Sequence, residues 1–458
     1  IPCIHNRIKT ICQNDREEGT DKMKAIIKRK VLYVQVQLIS PLSVSSGENE
    51  WTDSDILRDK EGNPFVTGSS LAGAMRAYLG KKKNEDSLMG YSGKDKNQDD
   101  IGKMSSLFIS DLTFDEDPVT GVRDGVALDK NKTAISESKF DIEIIEARAK
   151  AHFYMELTVR EGDNEAEMNQ ELANIFTGIN EGEIRIGSKK TRGFGEFKVL
   201  SVKNREYGKE NYLDYALAYK ENTWKAEENQ LDDWLKQADW NAQMIHIEVP
   251  LRMRGGISIR QYAARKGEPD YIHLTDHGIP VIPGSSLAGA IRHRIQDILE
   301  ELKQNQIKLP KNISDIINIA FGYVNGNEAC ASNIIIGESE IKGASPLTMV
   351  RTGVSRFESA VKSGALYKEK MYVDGELSLE IAVRKSQNPE DSRWVMGLLL
   401  LAIKDLQNGL LAVGGQTAIG RGIFTANGPI LIDGEASKED QYIAEMLQNM
   451  SGIGGSES

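Results

Sequence analysis

One seven-residue segment occurs twice in the chain, and this repeat constrains the fold more than any other feature. GSSLAGA runs from Gly68 to Ala74 and returns without a change from Gly284 to Ala290. The flanking sequence repeats in the same order: DSDILRD (53–59) and DYIHLTD (270–276) lie upstream, and the glycine-rich turns IGSKKTRGFGEF (186–197) and VGGQTAIGRGIF (413–424) lie downstream. Matches in a constant order indicate that the chain contains two copies of one domain.

Hydrophobic periodicity predicts the same order of elements in both copies. The opening strands are VLYVQVQLIS (31–40) and MIHIEVPL (244–251), and a helix follows each GSSL, with Ser69 and Ser285 as the expected N-cap residues. Further strands are predicted at 107–114, 138–159, 334–341 and 371–383, and late helices at 165–176 and 392–406. The order strand, helix, strands, helix, turn and strand predicts an α+β fold of two tandem ferredoxin-like domains.

Composition bounds the class of protein. The 458 residues, with a net charge of −11 and 40% hydrophobic residues, are typical of a globular chain of roughly two to four domains. The negative charge argues against a protein that coats nucleic acid indiscriminately, but it leaves room for a local basic groove. No apolar run reaches about 18 residues, the length that a membrane span needs, and no secretory signal is recognisable. Cys3, Cys12 and Cys330 lack CxxC spacing and a pairing pattern, which predicts a cytoplasmic protein without structural zinc.

The repeat also predicts the domain boundaries. Residues 24–205 form the first domain, residues 206–243 a charged linker, and residues 244–433 the second domain. Residues 1–23 are an unassigned leader, in which Met23 is the expected original start, and residues 434–458 are an acidic tail.

The helix that follows each GSS is a candidate anion site, because its first backbone N–H groups and its dipole face outward. Ser69, Gly73 and Arg76 share one face of the first helix, and Ser285, Gly289 and Arg292 repeat this arrangement in the second. A phosphodiester chain fits such a face, with glycine permitting close approach and arginine closing on the phosphate. The alternative is that the glycine lets the helix pack closely against protein.

The glycine-rich turns add backbone amides and cations. Gly187, Gly193 and Gly195 are interleaved with basic residues in the first turn, and such loops cradle phosphate groups. The second turn contains Gly414, Gly415, Gly420 and Gly422 but only one cation, Arg421. Neither turn has the GxxxxGK[ST] spacing of a nucleotide-hydrolysing P-loop.

Together, the D-x5-D window, the P-x3-GSSLAGA-x-R block and the glycine-rich turn resemble the RAMP superfamily, and specifically the RNA-binding backbone subunits of type III CRISPR effector complexes. The resemblance covers residues 30–205 and 244–432 and is to the tandem form, in which two backbone units are fused. It implies an RRM-like palm with a β-hairpin thumb insertion in each unit, here at Asp115–Ser138 and Lys342–Lys370. The implied RNA-binding residues are Ser69, Ser70, Arg76, Gly187, Lys189, Lys190, Arg192, Ser285, Ser286, Arg292, Gly414, Gly415 and Arg421.

The resemblance also implies catalysis by the first aspartate of each window, Asp53 and Asp270. Each would bind a divalent cation, Mg²⁺ or Mn²⁺, or help to activate a ribose 2′-hydroxyl for in-line attack. The alternative for a loop aspartate is a structural cap of a turn, and Asp55 beside Asp53 competes for the assignment. His273 and His277 surround the second window, but we expect no dedicated zinc site there.

The leading functional prediction is a guide-RNA-binding subunit that cleaves complementary target RNA at two sites in antiviral defence. The expected partners are CRISPR guide RNA, target RNA and other effector subunits, including further RAMP proteins, and no membrane. One alternative is a scaffold subunit that binds guide RNA without cleavage. Another is a small-molecule enzyme that binds phosphate at the two helix N-termini.

Overall fold

The computed structural model describes residues 24–45, 52–80, 88–94, 100–129, 133–262, 268–326, 328–386, 388–436 and 438–452. The leader predicted at 1–23 therefore lies outside the described residues. The α-helices are α1 Gly68–Leu79, α2 Glu165–Asn180, α3 Leu231–Leu235, α4 Gly284–Gln304, α5 Ile313–Phe321, α6 Pro389–Gln407 and α7 Lys438–Gly452. None of them combines the length and apolar character that a membrane span requires.

Ten strands of the described residues precede the linker. They are β1 Ile26–Leu38, β2 Phe65–Val66, β3 Tyr91–Lys94, β4 Asp100–Lys103, β5 Leu107–Ile109, β6 Leu112–Phe114, β7 Thr120–Gly125, β8 Phe140–Ile145, β9 Lys150–Arg160 and β10 Phe197–Tyr207. Fifteen described strands follow it. They are β11 Met244–Arg254, β12 Gly256–Ile257, β13 Arg260–Tyr262, β14 Tyr271–His273, β15 Thr275–Asp276, β16 Ile279–Ile282, β17 Tyr323–Asn325, β18 Glu328–Cys330, β19 Ile334–Ile336, β20 Ser339–Glu340, β21 Ser345–Arg351, β22 Tyr367–Val373, β23 Glu376–Arg384, β24 Ile423–Ala426 and β25 Leu431–Ile432.

The main sheets of the two units have the same strand order. In the first unit, β1 lies between β10 and β9, and β5 and β6 pair with the other edge of β9. In the second unit, β11 lies between β24 and β23, and β19 pairs with β23. All these pairs are antiparallel. The order fourth, first, third, second is the one expected of a ferredoxin-like unit, so the α+β prediction agrees with the sheets.

Each sheet buries one face under two helices, as the apolar spacing of those helices requires. In α1, Leu71, Met75 and Tyr78 recur at helical spacing and are buried. In α4, Leu287, Ile291 and the residues that follow at the same spacing are buried in the same way. The two units therefore have separate hydrophobic cores.

Each unit also carries a long β-hairpin outside its main sheet, as predicted. In the first unit β7 pairs with β8, and in the second unit β21 pairs with β22. In the second unit the return strand begins inside the predicted insertion and extends beyond it to Val373. In the first unit the prediction of Asp115–Ser138 was too short, because the whole return strand, Phe140–Ile145, follows it. We refer to β7–β8 and β21–β22 as the first and second hairpins.

Three sequence predictions need correction. The helices begin one residue before the predicted N-caps: Thr67 and Pro283 are the N-cap residues, and Ser69 and Ser285 lie inside the first turn. Helix α5 was not predicted. The segment assigned to an acidic tail contains α7, which packs on α6 with Met446 buried against Gly397.

The linker is a docked element of the first unit. Its Trp224 is 1% exposed and stacks on Tyr33 of the central strand, with ring centroids 5.9 Å apart. The hydroxyl of Tyr215 donates to the buried carboxylate of Glu156 at 2.5 Å, and Tyr219 donates to the same oxygen. The linker thus covers the sheet face that lies opposite the helices, where an RRM-like protein would present aromatic residues to RNA.

We expect Trp224→Ala to lower the free energy of unfolding by about 3–5 kcal/mol, because it leaves a cavity between the linker and the sheet. Leu213→Ala is the matched control, because Leu213 belongs to the same linker and is 89% exposed. Chemical denaturation of both variants checks this expectation. Equal stability of the two variants would show that the linker is not docked.

Candidate nucleic-acid interface and aspartate sites

Asp53 is exposed on the loop before α1 and is held by the first hairpin. Its Oδ2 accepts a hydrogen bond from the backbone N–H of Asp141 at 2.9 Å. The backbone N–H of Asp53 donates in return to Oδ1 of Asp141 at 3.0 Å. These reciprocal bonds fix one oxygen of the Asp53 carboxylate, and Asp141 is the second residue of strand β8.

Asp270 occupies the corresponding place in the second unit. It is exposed, and its Oδ2 accepts a hydrogen bond from the backbone N–H of Lys368 at 2.7 Å. Lys368 is the second residue of β22, the strand that corresponds to β8. Both first-position aspartates are therefore held by the same backbone position of the hairpin in their own unit.

The other aspartates of the two windows have structural roles. Asp55 is 8% exposed and accepts hydrogen bonds from the backbone and hydroxyl of Thr52, so it caps the loop. Asp59 closes an exposed turn, and hydrogen bonds, mainly from Asn63, lower the pKa of its carboxyl. Asp276 is buried and accepts from the backbone of Ala147.

The two aspartate sites differ as metal sites. In the first unit, Asp141 places a second carboxylate beside Asp53, and two such groups fit the oxygen ligands that Mg²⁺ prefers. In the second unit, the residue at that position is Lys368, whose ammonium group does not bind a cation. The donor set predicted for a divalent cation therefore fits Asp53 and does not fit Asp270.

The two histidines near the second window have different surroundings, and only His273 is buried in the protein framework. His273 is 2% exposed, and its ring nitrogens lie 3.0 Å from the backbone N of Ile259 and 3.1 Å from the carbonyl oxygen of Val281. Burial lowers its pKa to about 4. His277 contacts Asp276 and Glu146 at 2.8 Å and 3.1 Å, where the two units meet.

The helix starts are close to other protein groups. The first N–H of α1, that of Gly68, donates to Oδ1 of Asp111 at 2.7 Å, and the hydroxyl of Thr67 accepts from the backbone of Ser70. At Gly284 a side chain would overlap the carbonyl oxygens of Ile336 and Arg192. At α1 a small anion therefore has little access to the first N–H group, which argues against the small-molecule alternative for the first unit.

The outer face of each helix is open. A Cβ atom at Gly73 or Gly289 would meet no atom of the described residues within 4 Å. These glycines therefore do not mediate close packing of the helix within the described chain. Arg76 is exposed but donates to the carbonyls of Met89 and Gly90, and Arg292 lies over the ring of Phe321. Ser69 and Ser285 are also exposed at these helix starts.

The glycine-rich turns align without gaps in the structure. Lys189 and Gln416 both have left-handed backbones, at φ 52° and 61°, and a short 3-10 turn follows each. In the first turn, Lys190 and Arg192 are exposed, whereas Lys189 lies half-buried over the ring of Phe140. In the second turn, Arg421 points its guanidinium at the sulfur of Met349. The predicted Gly187, Gly414 and Gly415 approach backbone of the loops after β1 and β12, so each turn is anchored to its own unit.

The first turn also packs against the start of α4. Gly193 is buried, and a Cβ there would lie 2.6 Å from the carbonyl oxygen of Ile336 in the second unit. Gly420, the equivalent residue of the second turn, is exposed, with no described atom near its Cβ position. Within the chain, the turn of the first unit thus contacts the start of α4 in the second unit. The equivalent turn of the second unit is exposed.

Ion pairs continue this boundary, which we call the seam. Arg123 and Arg148 of the first unit contact Glu338, Glu340 and Asp276 of the second. Burial raises the pKa of Glu338 to about 7, although Arg123 opposes this shift. The seam therefore fixes the first turn beside α4 through backbone contacts and buried charge.

Several residues of the two sites had no signal in the repeat. Asp141 and Lys368 occupy matched positions, but one is acidic and the other basic. The sequence repeat therefore does not mark them as site residues. Arg260 and Glu369 near Asp270 likewise have no counterpart of the same type in the first unit. Only the strand registers bring these residues to the aspartates.

Comparison with known proteins gives one family. A family model described as RAMPs, the RAMP superfamily, matches residues 35–198 and 245–425. The two matched segments coincide with the two structural repeats and together span more than half of the chain. The comparison with curated proteins found no match.

We expect Gly73→Ala and Gly289→Ala each to raise the free energy of unfolding by about 0.5–1 kcal/mol, because alanine favours an unobstructed helix interior. Gly178→Ala is the control, because a Cβ there would lie 2.6 Å from the ring of Tyr78. That variant should lose stability in the same denaturation assay. A loss of stability at Gly73 and Gly289 as well would mean that their helix faces are packed.

Proposed function

The chain belongs to the RAMP superfamily, and from this membership we propose that it is a guide-RNA-binding backbone subunit of a type III CRISPR ribonucleoprotein with one target-RNA cleavage site in each unit. RAMP superfamily proteins generally bind CRISPR guide RNA within effector complexes. The observation that carries the cleavage proposal is the matched placement of Asp53 and Asp270, each bound to the second residue of a hairpin return strand.

The proposed RNA path runs over the first turn and the open face of α4. Lys190 and Arg192 are exposed on a turn that is packed against Gly284, and Gly289 lies five residues further along α4. Cations and a bare helix face in this order suit a sugar-phosphate backbone, which offers charge without sequence information. This arrangement supports a protein that accepts guides of any sequence.

The proposed reaction is transesterification within the target strand. The 2′-oxygen attacks the adjacent phosphorus in line with the 5′-oxygen, so the P–O2′ bond forms while the P–O5′ bond breaks. The aspartate accepts the proton of the 2′-hydroxyl, and the leaving 5′-oxygen takes a proton from water. The products are a 2′,3′-cyclic phosphate and a 5′-hydroxyl. Because a backbone N–H binds Oδ2 of each aspartate, the other carboxylate oxygen is directed to the hydroxyl.

A divalent cation remains part of the proposal for the first site. Asp53 and Asp141 would hold it there, and it would supply charge stabilisation near the phosphate. The second site has Lys368 instead of a second acid, so the reaction proposed at Asp270 includes no metal. The alternative for the second unit is RNA binding without cleavage, in which case only the Asp53 site would yield a product.

The proposed partners include a further RAMP subunit. The seam is head-to-tail, because the turn of one unit contacts the helix start of the next, and such contacts extend in one direction. Gly420 and Ile419 of the second turn are exposed, with Ile419 58% exposed, whereas Gly193 in the first turn is buried. We therefore propose that the second turn receives the helix start of the following subunit.

We expect Asp53→Ala and Asp270→Ala each to abolish one of two target cleavage products, with a rate loss of about 10²-fold or more. The measurement is cleavage of complementary RNA by the guide-loaded complex in magnesium, with each product resolved on a gel. Asp59→Ala is the matched control, because this exposed aspartate belongs to the same window, and it should leave both products. Persistence of both products in the double variant would refute cleavage at these sites.

We also expect a cysteine introduced by Ala418→Cys to crosslink to a neighbouring RAMP subunit in the assembled complex, since Ala418 is exposed on the second turn. Leu410→Cys provides the control, because Leu410 is 73% exposed but lies outside that turn. Crosslinking at both positions or at neither would argue against docking through the second turn.

A further inference from the structure

An aromatic ring occupies the same place beside each aspartate. Phe140 is the first residue of β8 and directly precedes Asp141, whose N–H binds Asp53. Tyr367 is the first residue of β22 and directly precedes Lys368, whose N–H binds Asp270. The two rings therefore occupy equivalent positions one residue from the groups that hold the aspartates.

In the first unit, Lys189 of the glycine-rich turn covers this ring. Its Nζ lies 4.0 Å from the centroid of Phe140. Within the described part of the chain Lys189 forms no ion pair, and burial together with the neighbouring Arg192 lowers the pKa of its ammonium. A half-buried cation that has an aromatic ring but no carboxylate beside it, and that lies near a second cation, is stabilised further when an anion joins it. A phosphate group is an anion of this kind.

In the second unit, the equivalent turn residue is Gln416, and a different residue supplies the cation. The guanidinium carbon of Arg260 lies 4.6 Å from the ring centroid of Tyr271 and 6.0 Å from that of Tyr367. Its Nε donates to Oε1 of Glu369 at 3.0 Å. Arg260 reaches the ring from β13, and not from the turn.

Glu369 holds this second arrangement together. The carboxylate is fully buried and accepts from Ser258 at 2.6 Å and from Gln416 at 2.5 Å, in addition to Arg260. Burying a carboxylate is costly unless it is paired and hydrogen-bonded, and these three partners offset that cost while the ion pair fixes Arg260. By strand register, Arg260, Glu369 and Gln416 correspond to Ser45, Ile142 and Lys189 of the first unit. Three coupled differences thus move one positive charge from the turn to the strand, where it lies over Tyr271 and 6.0 Å from the equivalent ring of Tyr367.

We propose that Lys189 and Arg260 are equivalent catalytic residues that contact the non-bridging oxygens of the scissile phosphate, Lys189 at the Asp53 site and Arg260 at the Asp270 site. This inference rests on the proposed cleavage function. As the P–O2′ bond forms, negative charge grows on those oxygens, and a fixed cation next to the aspartate stabilises it. The aromatic rings keep each cation in place at little cost.

The test uses the guide-loaded complex with saturating target RNA and measures the single-turnover rate of each product. Lys189→Met should slow the Asp53 product by about 10²-fold or more and leave the Asp270 product unchanged, and Lys189→Arg should restore most of the rate. Arg260→Met should have the reverse selectivity. Guide content, target affinity and melting temperature are measured on the same complexes, and all three should stay close to those of the wild type.

Relocating the charge separates catalysis from structural support. In the first unit, the triple variant Lys189→Gln, Ser45→Arg and Ile142→Glu rebuilds the arrangement of the second unit and should recover cleavage relative to Lys189→Gln. In the second unit, Arg260→Ser, Glu369→Ile and Gln416→Lys rebuilds that of the first unit and should recover cleavage relative to Arg260→Ser.

The inference is overturned if Lys189→Met and Arg260→Met lower guide content or target affinity while the loaded complexes keep their cleavage rates. Such a result would assign the cations to RNA binding alone. Failure of the proposed function is a separate outcome, because both products would then persist in the Asp53→Ala and Asp270→Ala complexes. If Lys189→Met or Arg260→Met alone abolished both products, the assignment of one cation to each site would also be wrong.

Discussion

The packing of the first glycine-rich turn on the start of the second unit's helix is the contact on which the rest depends. Gly193 and Gly284 lie so close to backbone carbonyls that neither position has room for a side chain. This contact sets the position of α4 relative to the cations of the first turn. The buried ion pairs of Arg123 with Glu338 and Asp276 reinforce it. A single path for an extended polyanion follows from that placement.

The repeat predicted much of the fold because it encodes backbone requirements. The opening strands and the helices after GSSL were found near their predicted positions, since alternation and helical spacing report directly on burial. The N-caps were displaced to Thr67 and Pro283 because the close approach at Gly68 and Gly284 brings these glycines into the first turn. The docking of Trp224 on Tyr33 had no periodic signal, because it joins a linker to a sheet face through tertiary contacts.

The aspartates were predictable as residues, but their surroundings were not. Asp53 and Asp270 stand at matched positions of a sequence window, whereas their hydrogen-bond partners differ in type and are related only by strand register. For the same reason, the sequence predicted a role for Lys189, the cation near the aspartate of the first unit. It did not predict one for Arg260, the cation of the second unit. The two units thus place a positive charge at a similar position beside the aspartate but supply it from different residues.

The central claim is that the first turn and the exposed face of α4 form a continuous track for an RNA backbone. Photocrosslinking of guide RNA in the purified complex, followed by peptide mapping, tests it most directly. The account predicts crosslinks at residues 187–193 and along the exposed face of 285–292. Crosslinks confined to the linker-covered sheet face of the first unit, with neither track segment labelled, would contradict it.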